Sequence, residues 1–204
     1  MLERVRDAPG EVLSLDEYWP DFELNRSRVT DRIDKLERRQ YFEEPHDPGW
    51  RAFVSGDWQE ALRLEELSRQ EIIVHYTAYA EDGIVGRRVR VVEFPIGPYL
   101  QWELNGLRIR AECGENIHVV SAEIVAPYEK DGRPVPEMII LSAEVMYEIR
   151  YDQSSVLSGG RKIAETDIIS GCRLEIDAIY QKGEDLLEFF EREVAPMPPP
   201  IVKR

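Results

Sequence analysis

The 204-residue chain is 43% hydrophobic and 32% charged and carries a formal net charge of -14. That apolar share closes a core without disulfide staples, the interspersed signs exclude a disordered profile, and the negative charge opposes nonspecific attachment to nucleic acid or to an anionic membrane. Cys113 and Cys172, with His46, His75 and His118, stand in no disulfide or metal-binding spacing, and no run approaches the ~20 apolar residues of a membrane span. A cytoplasmic protein without metal or other cofactor is the expectation.

In chain order, residues 1–34 are expected to form an extension, residues 35–193 a single α/β domain and residues 194–204 a proline-rich tail. Ser14 and Glu17 have the spacing of a reciprocal helix cap, so a short helix starts there, and Pro20 is expected to limit its length. Residues 29–42 fit a helix through Val29, Ile33 and Leu36 and also a strand by alternation, which leaves both open. Residues 44–56, punctuated by Pro45, Pro48, Gly49 and Gly56, read as an irregular loop pinned to the core by Trp50 and Phe53. Asp57 then opens a helix, with Glu60 as its capping acid, that keeps one apolar face through Trp58, Ala61, Leu62, Ile72, Ile73, Tyr76 and Ala80 to about residue 81.

Gly83 and Gly86 end that helix, and residues 87–95 alternate arginine with valine before turning continuously apolar, as a strand entering a buried sheet does. Pro98 sits at a first helical position, Gly106 weakens the helix that follows, and Gly114 stops it. Residues 116–123 read as the next strand, and the strand, helix, strand succession predicts a crossover between parallel strands. After a loop over residues 128–136, residues 137–152 are long enough for a hairpin turning near Ser142 to Glu144. Residues 161–167 read as a short edge strand. Ile169, Cys172, Ile176, Ile179, Tyr180, Leu187 and Phe190 then recur at helical spacing to about residue 193, with Gly183 a weak point. The predicted fold is α/β (or α+β): a mixed sheet with a strand-helix-strand unit, a C-terminal hairpin and a packed C-terminal helix.

Chemistry concentrates in residues 87–115. Arg87, Arg88 and Arg90, beside Gly83 and Gly86, offer forked donors for a phosphate or carboxylate, although Arg88 and Arg90 also fit the solvated face of a strand, the reading preferred for them. Tyr99, Glu103 and Glu115 would line a pocket near the ends of two parallel strands, where open α/β sheets bind ligands, while Trp102 reads as core. Burial of Glu103 or Glu115 would demand a partner. His75 and His118 read as structural residues, residues 154–160 as a flexible loop, and neither cysteine has a basic neighbour that would activate its thiol.

The stretches KLERRQYFEEPHDPGWRAFVSGDWQEAL, GRRVRVVEFPIGPYLQWEL and GENIHVV resemble a family of uncharacterised actinobacterial proteins encoded near WhiJ-type helix-turn-helix regulators. The marks are the LER stretch, the W-x-x-F-x-x-G-D-W segment, the arginine-rich strand ending in Pro95, Tyr99 with Glu103, and the pair Gly114 and Glu115. The resemblance implies a domain of unknown function in regulatory company, and supplies no catalytic residues. The order of elements is also similar to half of a phospholipase D-like fold, without the HxKxxxxD signature of that superfamily. The expected function is a noncatalytic regulatory or signalling module. It would bind a helix-turn-helix regulator or other protein partner, or a small anionic ligand, through Arg87, Arg88, Arg90, Tyr99, Glu103 and Glu115. The alternative is an enzyme on nucleotides or nucleic acid phosphodiesters, using Arg88, Glu103, Glu115 and His118. Direct DNA binding is opposed by the charge and by the lack of a basic recognition helix.

Overall fold

Valine and arginine alternate along the strand at the centre of the molecule because its two faces meet different layers. In the computed structural model, which describes residues 1–202, the strands are β1 (Glu11–Ser14), β2 (Arg32–Glu37), β3 (Val85–Val92), β4 (Asn116–Ser121), β5 (Met138–Ile140), β6 (Met146–Tyr151), β7 (Leu157–Ile163) and β8 (Glu184–Asp185). They form one sheet in the order β1-β7-β6-β5-β2-β3-β4-β8. Only β2, β3 and β4 run parallel to one another; every other pairing is antiparallel. This is the expected mixed sheet, with its strand-helix-strand unit and its hairpin.

The helices are α1 (Leu15–Arg26), α2 (Pro48–Ser55), α3 (Trp58–Leu67), α4 (Arg69–Glu81), α5 (Pro98–Glu112), α6 (Ala122–Val125), α7 (Thr166–Tyr180) and α8 (Leu186–Phe189). One face of the sheet, carrying Leu36, Val89, Val91, Met138, Ile140, Met146 and Ile163, packs on Ile169, Cys172, Ile176 and Ile179 of α7 and on Leu2 and Val5 of an N-terminal 3-10 turn. The other face is covered piecewise. Leu100, Leu104 and Leu107 of α5 pack with Ile117 and Val119 of β4 and with Leu186 and Phe189 of α8. Tyr18 of α1 packs on Tyr147 of β6. Between these lies an aromatic cluster of Phe42, Trp50, Phe53, Tyr99 and Trp102, in which the Phe53 and Trp102 rings stack.

Several local expectations change. The Glu17 carboxylate accepts from the Ser14 amide at 2.9 Å, as the spacing predicts, but α1 runs through Pro20 to Arg26. Contacts beyond the proline hold it: Phe22 on Tyr147, and Asp21 on Lys162 at 2.7 Å and on the Tyr147 hydroxyl. The prolines and glycines of residues 44–56 delimit a helix rather than prevent one. Asp47 caps it by accepting from the Trp50 amide, Pro48 occupies its first turn, and Gly56 at φ 89° closes it in the left-handed region that favours glycine. The helix opened by Asp57 breaks at Ser68 into α3 and α4, and Glu60 binds Arg63. Residues 161–167 are not an edge strand: β7 starts at Leu157 and lies between β1 and β6, which also takes part of the expected flexible loop into the sheet. The C-terminal helix ends at Tyr180, and residues 181–185 turn into β8 before α8 begins. The ambiguous segment 29–42 resolves as β2.

Candidate functional site

The register of β2 on β3 sets Lys35 opposite Arg88 and Glu37 opposite Arg90 on the face that α5 covers. Neither arginine is solvated. Arg90 is fully buried, and its guanidinium donates to Glu103 of α5 at 3.0 and 2.5 Å. Arg88 is 7% exposed and bridges Glu37 at 2.7 Å to Glu115 at 2.8 Å, while Lys35 closes on Glu37 from the other side at 2.6 Å. The expectation of a solvated arginine face is therefore corrected. The acids that neutralise these arginines lie far apart in sequence and converge only through the parallel crossover.

Arg87 points the other way, as a strand's period of two requires. It donates to Asp34 at 2.6 Å and to Asp177 of α7 at 2.5 Å, and lies over the Tyr180 ring at 4.8 Å. The sheet thus divides the six expected site residues: Arg88, Arg90, Tyr99, Glu103 and Glu115 share one face, and Arg87 is on the other. His118 joins Arg87's side, stacked on Tyr180 at 3.7 Å with its Nδ1 2.7 Å from the Tyr180 carbonyl oxygen. It is no neighbour of Arg88 or Glu103.

A cavity of about 330 Å³ opens above the first group, bounded by the sheet, α5, α1 and the segment leading into α2. Its lining includes Lys35, Glu37, Arg88, Tyr99, Trp102 and Glu103, together with Tyr18, Trp19, Phe42 and Tyr151. Its remaining acids are Glu43, Glu44, Asp47 and Glu65; in sequence, Glu43 with Glu44 and Glu65 with Glu66 read as solvated surface pairs, whereas Glu44 and Glu65 are partly buried in the lining of this cavity. Glu44 accepts the Tyr99 hydroxyl at 2.5 Å, and Asp47 is spent on the cap of α2. The Glu65 carboxylate wedges between α2 and α5: a Cβ on Gly49 would sit 2.5 Å from its Oε1, and one on Gly106 2.8 Å from its Oε2. Gly106, expected as a weak point of α5, is the opening that admits Glu65. That mid-helix glycine was the one available signal for the acid opposite it.

Electrostatics divide these carboxylates. Burial works against the charge of Glu37, but Arg88, Lys35 and Arg90 outweigh it and hold its carboxyl well below the usual range. Glu115 is lowered likewise, with Arg88 and Arg110 overcoming burial. Burial pushes Glu65 up to about 7, reinforced by Asp47 and Glu44, and pushes Glu103 up to about 7 against the pull of Arg90. Glu44 is raised by burial as well. The three basic groups of the lining, Lys35, Arg88 and Arg110, are each already placed against Glu37 or Glu115. Among the described residues, an incoming anion would thus meet only cations that already lie within 4.0 Å of an acid.

Among the described residues no group of three or more His, Cys, Asp or Glu is placed to hold a metal ion, and no helix is long and apolar enough to cross a membrane. A family model described as Domain of unknown function (DUF6879) matches residues 20–191, most of the chain. No curated protein matches.

Proposed function

The chain belongs to the DUF6879 family, whose description assigns no chemistry, and from the geometry of its cavity we propose that it is a noncatalytic regulatory module that takes a partner protein through a cationic side chain. One observation carries this. The cavity wall holds Glu43, Glu44, Asp47 and Glu65 without an ion-pair partner among the described residues, in a lining that also carries the aromatic side chains Tyr18, Trp19 and Tyr99, while Lys35 and Arg88 are paired with Glu37 and Glu115 and Arg110 stands 4.0 Å from Glu115. An arginine or lysine side chain satisfies both features, by charge and by its position over an aromatic ring. Within the family resemblance, an actinobacterial, cytoplasmic setting and a helix-turn-helix regulator as partner follow, since such regulators carry exposed basic residues for DNA. Co-purification with a regulator encoded beside the chain tests it. Recovery by wild type and loss with the Glu44→Gln, Glu65→Gln double variant is the expected result; equal recovery by both chains overturns it.

A second reading has its own observation. Glu65 and Glu103, both pushed up to about 7, are carboxyls able to give or take a proton near neutral pH, as hydrolysis of a nucleotide or phosphodiester needs, and the order of elements is similar to a phospholipase D-like half. Turnover of a phosphodiester that disappears in Glu65→Gln would establish it, and absence of turnover at any pH between about 5 and 8 excludes it.

A further inference from the structure

A second cleft, of about 500 Å³, lies at the opposite end of β6 and β7 from the turn that joins β5 to β6, and it has the reverse charge. Its lining includes four arginines, Arg6, Arg39, Arg150 and Arg161, and two glutamates, Glu137 and Glu148, in a chain whose net charge is -14. Both acids are committed. Glu148 accepts from Arg161 at 2.9 Å, and Arg161 further donates to the carbonyls of Ala8, at 2.8 Å, and Val5, which fixes the floor of the cleft. Glu137 is 4% exposed and accepts the backbone amides of Arg38 at 2.8 Å and Arg39 at 2.6 Å. Burial pushes its carboxyl up to about 7, so its opposing charge is partial at neutral pH.

The other three guanidinium groups have no carboxylate within ion-pair distance among the described residues. Arg6 donates to the Pro134 carbonyl at 2.9 Å. Arg39 donates to the Ser155 hydroxyl at 2.9 Å and lies over the Tyr151 ring at 4.6 Å, which orients its plane and leaves donors free. Arg150 is exposed, and its guanidinium makes no hydrogen bond among the described residues. Convergence of like charges on a concavity is costly unless something neutralises them, and forked guanidinium donors fit oxyanions in pairs. We propose that this cleft, which shares Ile149 and Tyr151 with the cavity of the proposed function but carries the opposite charge, binds a small multivalent oxyanion, a phosphorylated or polycarboxylate metabolite up to the size of a nucleotide.

Calorimetric titration of the full chain with inorganic pyrophosphate and, separately, with citrate tests this and tells the two oxyanion sources apart. Saturable binding of one probe, about tenfold weaker in Arg39→Gln and in Arg150→Gln and unchanged in Arg108→Gln, a residue of α5 outside the cleft lining, is expected. Arg150 has no partner to lose, so its variant tests binding without disturbing the fold; thermal melting serves as the check for Arg39→Gln. The proposal is overturned if neither probe binds saturably, or if the Arg108 variant loses as much affinity as the other two.

Discussion

Arg88 shows how much of this molecule rests on single buried charges. Replacing it with methionine leaves Glu37 and Glu115 without their main partner in a site almost closed to water, and breaking such a pair costs about 3–5 kcal/mol. Urea unfolding of Arg88→Met is expected to show that loss, and a loss within about 1 kcal/mol would mean the two acids find water or other donors. Glu65 gives the opposite case. Its folded carboxyl titrates near 7 against an ordinary value of 4.5, so the native state holds an extra proton between those values, and stability falls as pH rises through that window and levels off above about 7. Glu65→Gln cannot lose that proton. Its advantage over wild type is expected to be about 2–3 kcal/mol larger at about pH 8 than at about pH 5, read from melting curves at the two pH values.

At the scale of elements, close backbone approach decides which segments the sheet can hold. Gly159 lies at φ 136° in β7, where an added Cβ would land on the Leu13 carbonyl of β1. Gly159→Ala is expected to cost about 1–3 kcal/mol, and amide exchange should become faster in β1 first; uniform loss of protection would assign the damage to the whole sheet instead. The elements that were legible in the sequence have local, sufficient signals: the cap at Ser14 and Glu17, the cap at Asp57, Pro98 and Gly114 around α5, and the valine run of β3. Those that were not depend on partners elsewhere. The same punctuation that suggested a loop over residues 44–56 bounds α2 once Trp50 and Phe53 have a core to enter, and Pro20 is tolerated because Phe22 and Asp21 have partners on β6 and β7. Of the site, the sequence grouped Arg87, Arg88, Arg90, Tyr99, Glu103 and Glu115 and favoured solvent for Arg88 and Arg90; the separation of Arg87 and the ion pairing of the others needed the register of β2 on β3.

For the whole molecule, charge is handled inside and out by different means. Buried pairs line both faces of β2 and β3, with Arg88 and Arg90 among glutamates on one side and Arg32, Arg87 and Arg173 around the fully buried Asp34 on the other. Salt screens these pairs little, while the outer excess of negative charge repels itself. The melting temperature is therefore expected to rise over the first ~0.2 M of sodium chloride, and a fall would show that surface ion pairs outweigh the repulsion. The sheet order carries a separate consequence, for the time course of synthesis. β1 emerges from the ribosome early, yet its only sheet neighbour is β7, with Glu11 against Lys162. The parallel trio β2, β3 and β4 can assemble as soon as β4 has been made, while β1 and the turn before it must wait for β7 and α7. β1 thus docks only once β7 is in place, and a ribosome paused between β4 and β7 would display a half-built sheet whose first strand is still unclaimed.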